Sequence, residues 1–438
     1  MKISSPFATL ALACALGATP ARAEDLMEVF QQAVAHDPTL STADATKRAG
    51  DQDVPIARAA LLPQAALEHD LSQTRGGTLD SSYGRLRARE LSGSLTQTVV
   101  NLADLASLKQ AKASAMAGGE TYRAALLDLY VRVAQTYLNV LIAQDELDTY
   151  SAYEDAYRRE FEQTRTRFEQ GLSAQVDKTQ AEAYYQYIKS QRLGVENSLQ
   201  QARQALAQIT GRQPGELRKL REDFPMQLPV PADAEAWVVL AHAHNPSVQA
   251  DDYSVRAAEH AVSTARAGHL PTLQASIDYS KSGSWYTRYP SDPSNGRGET
   301  VIGLTLSFPL FSGGATQAQV RQALAERDAA AGTLEGQRRQ AEYDVRSYYQ
   351  QLVQGVAQVE AARKAVEAAR QSLQAMQAGY EIGTQNLTSL VVAIGILADT
   401  QGQYSSVRHQ FVLNALLLRQ AAGVLEVKDL EEVNRWLQ

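Results

Sequence analysis

The stretch Ala57-Arg58-Ala59-Ala60-Leu61-Leu62-Pro63 returns 208 positions later as Ala265-Arg266-Ala267-Gly268-His269-Leu270-Pro271. It does not return alone. At the same distance, Ala33-Val34-Ala35-His36-Asp37-Pro38 is answered by Ala241-His242-Ala243-His244-Asn245-Pro246. Gln97-Thr98-Val99-Val100-Asn101 is answered by Phe308-Pro309-Leu310-Phe311-Ser312 at 211, Phe168-Glu169-Gln170-Gly171 by Tyr380-Glu381-Ile382-Gly383 at 212, and Gly211 by Gly423 at 212. Five matches in order, at a nearly constant separation, mark a duplication with small insertions. A length of 438 residues would suggest two or three globular domains at ~150 residues each. The repeat replaces them with two like halves of one elongated protomer.

Each half opens with a helical stretch, about 25–60 in the first. It stops before Leu62-Pro63, because the residue preceding a proline is pushed out of the α region. Two strands follow in each half, about 63–72 and 90–101, then about 271–280 and 300–309. In the second half Leu273, Ala275, Ile277 and Tyr279 alternate with Gln274, Ser276 and Asp278, and Ile302, Leu304, Leu306 and Phe308 alternate with Thr305 and Ser307. A period of two gives each strand one apolar and one polar face. The first-half strands are weaker, with Leu67, His69 and Leu71 against Glu68, Asp70 and Ser72, then Leu91, Leu95 and Val99 among polar residues. Polar, glycine-rich loops at 72–89 and 281–299 separate the strands. The second loop carries Trp285, Tyr286, Tyr289, Pro290 and Pro293. These aromatics read either as a membrane-interface belt or as ordinary exposed loop residues.

No proline interrupts the chain from about Leu105 to Glu169 or from about Thr316 to Tyr380. Leu126, Tyr130, Val133, Tyr137, Val140 and Leu141 recur at spacings of three and four, the period of an amphipathic helix. Some 65 residues at ~1.5 Å each make a rod of about 100 Å. Each rod ends at a glycine, Gly171 or Gly383, and a second helical run returns over about 174–209 and 386–421. The expectation is two helical hairpins, with residues 24–211 and 232–423 as repeats, 212–231 as the linker between them and 424–438 as a C-terminal segment.

Composition narrows the function classes. Lys2, the apolar run Phe7 to Leu16 and then Ala21-Arg22-Ala23 form a secretory signal over residues 1–23 with cleavage before Glu24. A membrane anchor is the competing reading, but the run is shorter than the ~20 residues a spanning helix needs. The only cysteine, Cys14, lies inside that segment, and Ala11-Leu12-Ala13 before it suits a lipoprotein signal poorly. Removing the signal takes away Lys2 and Arg22, so the formal charge moves from −7 to −9. An acidic, exported chain is not built to hold nucleic acid. No later window offers ~18 consecutive apolar residues, so no helix is expected to span a membrane by itself.

Site chemistry is scarce. His242-Ala243-His244 places two imidazoles two residues apart, which diverge on a helix, so no metal centre is expected. There is no phosphate-binding G-x-x-x-x-G-K-[ST] loop, no G-x-S-x-G and no mature thiol nucleophile. Neither an enzyme activity nor a cofactor is expected. Four amphipathic strands suit a membrane barrel, but four cannot close. In lipid every edge N–H and C=O must be paired, and the smallest bacterial barrels have about eight strands. The chain must therefore oligomerise, or else be a soluble coiled-coil protein with two small hairpins.

The residues resemble the TolC family of outer-membrane channels, which serve efflux pumps and type I secretion. The likeness spans the mature sequence. It rests on the duplicated layout, on Phe308-Pro309-Leu310-Phe311-Ser312-Gly313-Gly314-Ala315 as a strand-to-helix junction, and on the tips Arg167-Phe168-Glu169-Gln170-Gly171-Leu172 and Gly379-Tyr380-Glu381-Ile382-Gly383-Thr384. The resemblance implies a mainly α fold with a small β part. Duplicated helical hairpins would form an α-helical barrel, and four transmembrane strands per protomer would enter a shared twelve-stranded barrel in a homotrimer. It implies the outer membrane as the location, with a long periplasmic portion, and a periplasmic adaptor and an inner-membrane transporter as partners.

A periplasmic gate is implied as well. Its Asp falls on Asp177 and its Tyr on Tyr380, but its Arg position holds Gln385, and two pore aspartates fall on Ser389 and Val392. An Asp–Tyr hydrogen bond is retained in this reading, while the salt bridge and the acidic ring are lost, which argues against cation selection at the constriction. Asp177 reads alternatively as a simple helix cap. Gly171-Leu172 and Gly383-Thr384 are expected as the adaptor-docking tips, or as plain turns. The rival function is a periplasmic coiled-coil adaptor or scaffold, although adaptors normally carry one hairpin between β-rich flanks.

Overall fold

A computed structural model describes residues 23–75, 85–286, 294–295 and 298–438. The signal segment, apart from Ala23, and the loop residues Tyr289, Pro290 and Pro293 lie outside them. The chain runs α1 (Leu26–His36), α2 (Pro38–Asp51), α3 (Asp53–Ala59), β1 (Gln64–Arg75), β2 (Arg85–Val100), α4 (Leu102–Glu169) and α5 (Gln175–Thr210). It then continues through α6 (Ala234–His244), α7 (Pro246–Ala267), β3 (Thr272–Tyr286), β4 (Ser294–Asn295), β5 (Glu299–Ser307), α8 (Ala315–Glu381), α9 (Leu387–Ala421) and α10 (Val427–Asn434).

The single opening helix expected over 25–60 is three helices. Asp37 ends α1 and starts α2, its carboxylate accepting from Leu40 N at 2.9 Å with Pro38 in the first turn. A proline there needs no amide partner and has its φ preset for a helix start. The second break, at Gln52, precedes Pro55 inside α3, which has no N–H for the preceding turn. In the second half Asn245-Pro246 makes the first break, but α7 then runs unbroken for 22 residues. Ser263, the counterpart of Pro55, keeps its amide.

The rods are as long as the proline-free spans suggest: α4 has 68 residues and α8 has 67. Asn101 caps α4, its Oδ1 accepting from Ala103 N at 3.0 Å. The main core forms where α1, the middle of α4, α5, α8, α9 and α10 meet, with Val29, Leu129, Val133, Leu206, Leu352, Leu416 and Leu430 all fully buried. Phe30 meets Tyr130 edge-on at 5.0 Å. Tyr137, midway along α4, donates its hydroxyl to Arg218 O at 2.9 Å and approaches Glu24 O at 3.1 Å. The same level holds the C-terminus, where Lys219 and Gln438 exchange backbone hydrogen bonds at 3.1 and 2.9 Å. A second cluster nearer the helix tips joins Tyr153 and Tyr157 of α4, Ile188 of α5 and Leu390, Val391 and Ile394 of α9.

The strands form one antiparallel sheet in the order β1-β2-β3-β5, with the two-residue β4 beside the far end of β3. Three strands reach further than expected: β1 to Arg75, β2 back to Arg85 and β3 to Tyr286. The charged run Arg85–Glu90 hides a strand from any hydropathy reading, whereas pairing to β1 and β3 on both sides holds it extended. Among the described residues, β1 and β5 each pair on one side only. No described helix is long and apolar enough to cross a membrane.

Candidate functional site: the two-faced sheet and the helical tips

Register fixes which side chains share a face, because successive residues of a strand point to opposite sides. Leu67 pairs with Gly93 and Leu71 with Arg89; Leu95 pairs with Ile277, and Ile277 with Ile302; Ala275 pairs with Leu304, and Leu273 with Leu306. All of these lie on one side of the sheet. In the single chain that side is open, with Leu67 and Ile302 each 78% exposed. The other face carries Glu68, Asp70, Ser92, Ser94, Thr96, Ser276, Asp278, Ser280 and Thr305. Where the sheet meets the helices, Phe308, Leu310 and Phe311 are 56%, 84% and 88% exposed, the placement of an interfacial apolar girdle.

At the far end of the rods the two tips have the same geometry. Gly171 and Gly383 adopt φ of +76° and +81°, a left-handed conformation that glycine enters without steric cost. Leu172 N donates to Arg167 O, and Thr384 N to Gly379 O, both at 2.8 Å, closing each rod with the six-to-one bond of a Schellman motif. Leu172 is 73% exposed beyond its glycine. Thr384 Oγ1 adds a bond to Gly379 O at 3.0 Å. A Cβ at Gly379 would press on Gln385 Cγ at 2.6 Å, so Gln385 is folded back against its own rod.

Asp177 and Tyr380 are not hydrogen-bonded to each other within the protomer. Asp177 Oδ2 accepts from Ser173 Oγ at 3.0 Å and from Ala174 N at 3.3 Å, so it caps the start of α5. Tyr380 faces α4 instead. Burial raises its phenol above the ordinary value, and the nearby Glu160 carboxylate raises it further, while Thr164 and Arg167 oppose that shift. The Arg167 guanidinium sits 6.0 Å from the Tyr380 ring centre. Glu160, Thr164 and Arg167 were missed in the sequence, although their spacing of four and three puts them on one stripe of α4. Ser389 helps start α9, its N and Oγ bonding Asn386 Oδ1 at 2.8 and 3.0 Å. Val392, one turn on, is 53% exposed. His242 of the histidine pair bonds Glu342 at 3.0 Å.

The family model described as outer membrane efflux protein matches residues 29–212 and 237–424. An outer membrane protein TolC from Vibrio cholerae is 31% identical over 95% of this chain and 94% of its own length, and one from Escherichia coli is 32% identical over 95% and 85%. The alkaline protease secretion protein AprF of Pseudomonas aeruginosa is 29% identical over 93% of this chain and 86% of that protein. Among solved structures, CusC superposes with a TM-score of 0.79 at 18% identity, covering 92% of each chain. The Vibrio cholerae outer membrane protein VceC does so with 0.76 at 20%, covering 91% of this chain and 96% of that one. The fold is shared with these channels, and the adaptor reading is set aside.

Proposed function

Because the chain belongs to the outer membrane efflux protein family, we propose that three copies assemble into one conduit whose twelve strands close a barrel in the outer membrane. The chain is an outer-membrane efflux or secretion channel and not an enzyme. Its long helices lie on the periplasmic side. The observation that carries the trimer is the open sheet: four strands with an apolar and a polar face, and a free backbone edge on both β1 and β5. In lipid those edges require strand partners, and β5 of one copy meeting β1 of the next supplies them in a closed ring.

Residues 24–211 and 232–423 act as the two repeats in this reading, and residues 1–23 are the signal removed on export. Segments 212–231 and 424–438 form an equatorial collar, consistent with the Lys219–Gln438 pairing beside Tyr137. The tips Gly171-Leu172 and Gly383-Thr384 dock a periplasmic adaptor, which couples the tube to an inner-membrane transporter. Asp177, Tyr380 and Gln385 form the periplasmic gate, with Ser389 and Val392 at the constriction. Ser389 and Val392 carry no charge, so this level does not select cations. Relatives named for protease secretion, AprF and PrtF, favour type I protein secretion as the task, with cargo chosen by the inner-membrane partner. Fractionation tests the channel: the mature protein is expected in outer membranes as a heat-modifiable trimer that conducts in planar bilayers. Recovery as a soluble periplasmic monomer would overturn the reading.

A further inference from the structure

The sheet sorts charge by face. Its five carboxylates, Glu68, Asp70, Glu90, Asp278 and Glu299, all fall on the polar face by strand register. Arg87, Arg89 and Lys281 all fall on the apolar face, since Arg89 pairs with Leu71 and with Gly283, Arg87 pairs with Gln73, and Lys281 pairs with Leu91. The three cations are exposed and stand together on the adjoining strands β2 and β3. Arg87 Nε donates to Gln73 Oε1 at 3.3 Å, which lays the guanidinium along this face. Lys281 stands level with Leu91, Arg89 level with Leu71, and Arg87 one step further out, at the end of the apolar face furthest from the helices.

Cations on the lipid side of a barrel are strongly unfavourable at the bilayer midplane and tolerated near its interfaces. At the rim remote from the periplasmic rods, that interface is the headgroup layer of the outer leaflet. We infer that Arg87, Arg89 and Lys281 form a lipid-facing docking site for the phosphate groups of an outer-leaflet glycolipid, repeated three times around the barrel. The chemistry is specific in two ways. Guanidinium groups bind phosphate with paired, charge-assisted hydrogen bonds, and the apolar belt below receives the acyl chains of the same molecule. A free anion would use the cations alone, whereas a phosphorylated lipid uses both parts of the surface.

The inference rests on reading the apolar face as lipid-facing, and the experiment separates the two. Full-length trimer is reconstituted in phosphatidylethanolamine vesicles containing either phosphorylated or dephosphorylated lipid A, extracted in mild detergent and weighed by native mass spectrometry. Wild-type trimer is expected to retain phosphorylated lipid A and to lose the dephosphorylated form. The R87Q/R89Q/K281Q variant is expected to retain about tenfold less of the phosphorylated form, with unchanged trimer conductance. Equal retention of both lipids by the wild type, or undiminished retention by the variant, overturns the site while conductance leaves the channel intact. A wild type that neither forms trimers nor conducts overturns the channel reading itself. Should the variant fail to assemble, the wild-type comparison of the two lipids decides alone.

Discussion

Arg132 of α4 donates from Nη2 to Asp37 Oδ2 at 2.8 Å, and so pins the break between α1 and α2 onto the first rod. The Asp37 side chain is only 3% exposed, that of Arg132 28%. Burial pushes the Asp37 carboxyl up, but the bonds from Arg132 and from the Leu40 amide outweigh it and hold the group below its ordinary value of 3.8. Removing the guanidinium by Arg132→Ala leaves a buried carboxylate without its counter-charge. Intact buried pairs cost about 3–5 kcal/mol to break. Because Arg132 is partly exposed, about 1–3 kcal/mol is expected. Asp37→Ala also loses the cap, and the double variant should fall short of the sum of the single changes. The sign with pH follows from the lowered value: the pair's stability is present above pH 3.8 and is lost as pH falls through the folded-state value below it. Calorimetry of the detergent-solubilised trimer at neutral and acid pH measures all of this, and additive single and double variants would contradict the coupling.

Gly423 and Gly171 share a left-handed conformation, with φ of +72° and +76°, but not their surroundings. A Cβ at Gly423 would overlap the His244 carbonyl and the Asn245 amide, whereas nothing lies within 4 Å of one at Gly171. Gly423→Ala therefore has to push the end of α9 off the break between α6 and α7. A loss of about 3 kcal/mol or more is expected, seen as a sharply reduced yield of folded trimer. Gly171→Ala carries only the backbone strain of about 1–2 kcal/mol and should assemble. Equal yields of the two variants would refute this reading of the contact.

Much of this architecture is legible locally. Proline-free spans, tip glycines and Leu-Pro stops all act on their own neighbours, so the rods, the turns and the strand starts can be read from the chain. The break at Gln52 is equally local, signalled by Pro55 three residues on. What stayed hidden depends on distant partners. Arg85–Glu90 is extended because β1 and β3 flank it, and Tyr380 meets Glu160 only because α4 and α9 bring the two rods together. The family resemblance points to Tyr380 as a gate residue but does not say which side chains it faces within one protomer.

The two faces of the sheet predict opposite tolerances at adjacent positions of β5. Leu304, in the middle of the apolar belt, pairs with Ala275, while Thr305 pairs with Gln274 on the polar side. An arginine on the lipid face near the midplane costs about 2–4 kcal/mol per protomer, while the same residue facing a water-filled lumen carries no such cost. Leu304→Arg is expected to deplete heat-modifiable trimer from outer-membrane fractions. Thr305→Arg should leave trimer abundant and shift ion selectivity towards anions. Immunoblots of unheated fractions and reversal potentials in a salt gradient report the two effects. Equal tolerance of both substitutions would mean that the apolar face does not meet lipid.

Tyr380 of the second tip lies beside Glu160 of the first rod, whose carboxylate raises the phenol above its ordinary value; in the gate reading a hydrogen bond between the two would latch the narrow end of the tube. A single bond of this kind contributes roughly 0.5–1.5 kcal/mol, equivalent to a shift of about 2- to 12-fold in a closed-to-open equilibrium for each protomer. Tyr380→Phe keeps the ring, and with it the contact to Arg167, but deletes the hydroxyl. Glu160→Gln keeps an acceptor and removes the charge. The phenylalanine variant is expected to form normal trimers whose bilayer conductance exceeds wild type several-fold, and the glutamine variant to fall between them. Asp177→Asn should weaken the start of α5, because that carboxylate bonds Ser173 and Ala174, without matching the conductance rise of Tyr380→Phe. A Tyr380→Phe trimer with wild-type conductance would remove Tyr380 from the gate. If Asp177→Asn opened the channel as far as Tyr380→Phe, the latch would instead belong to contacts between protomers, with Asp177 as the acceptor.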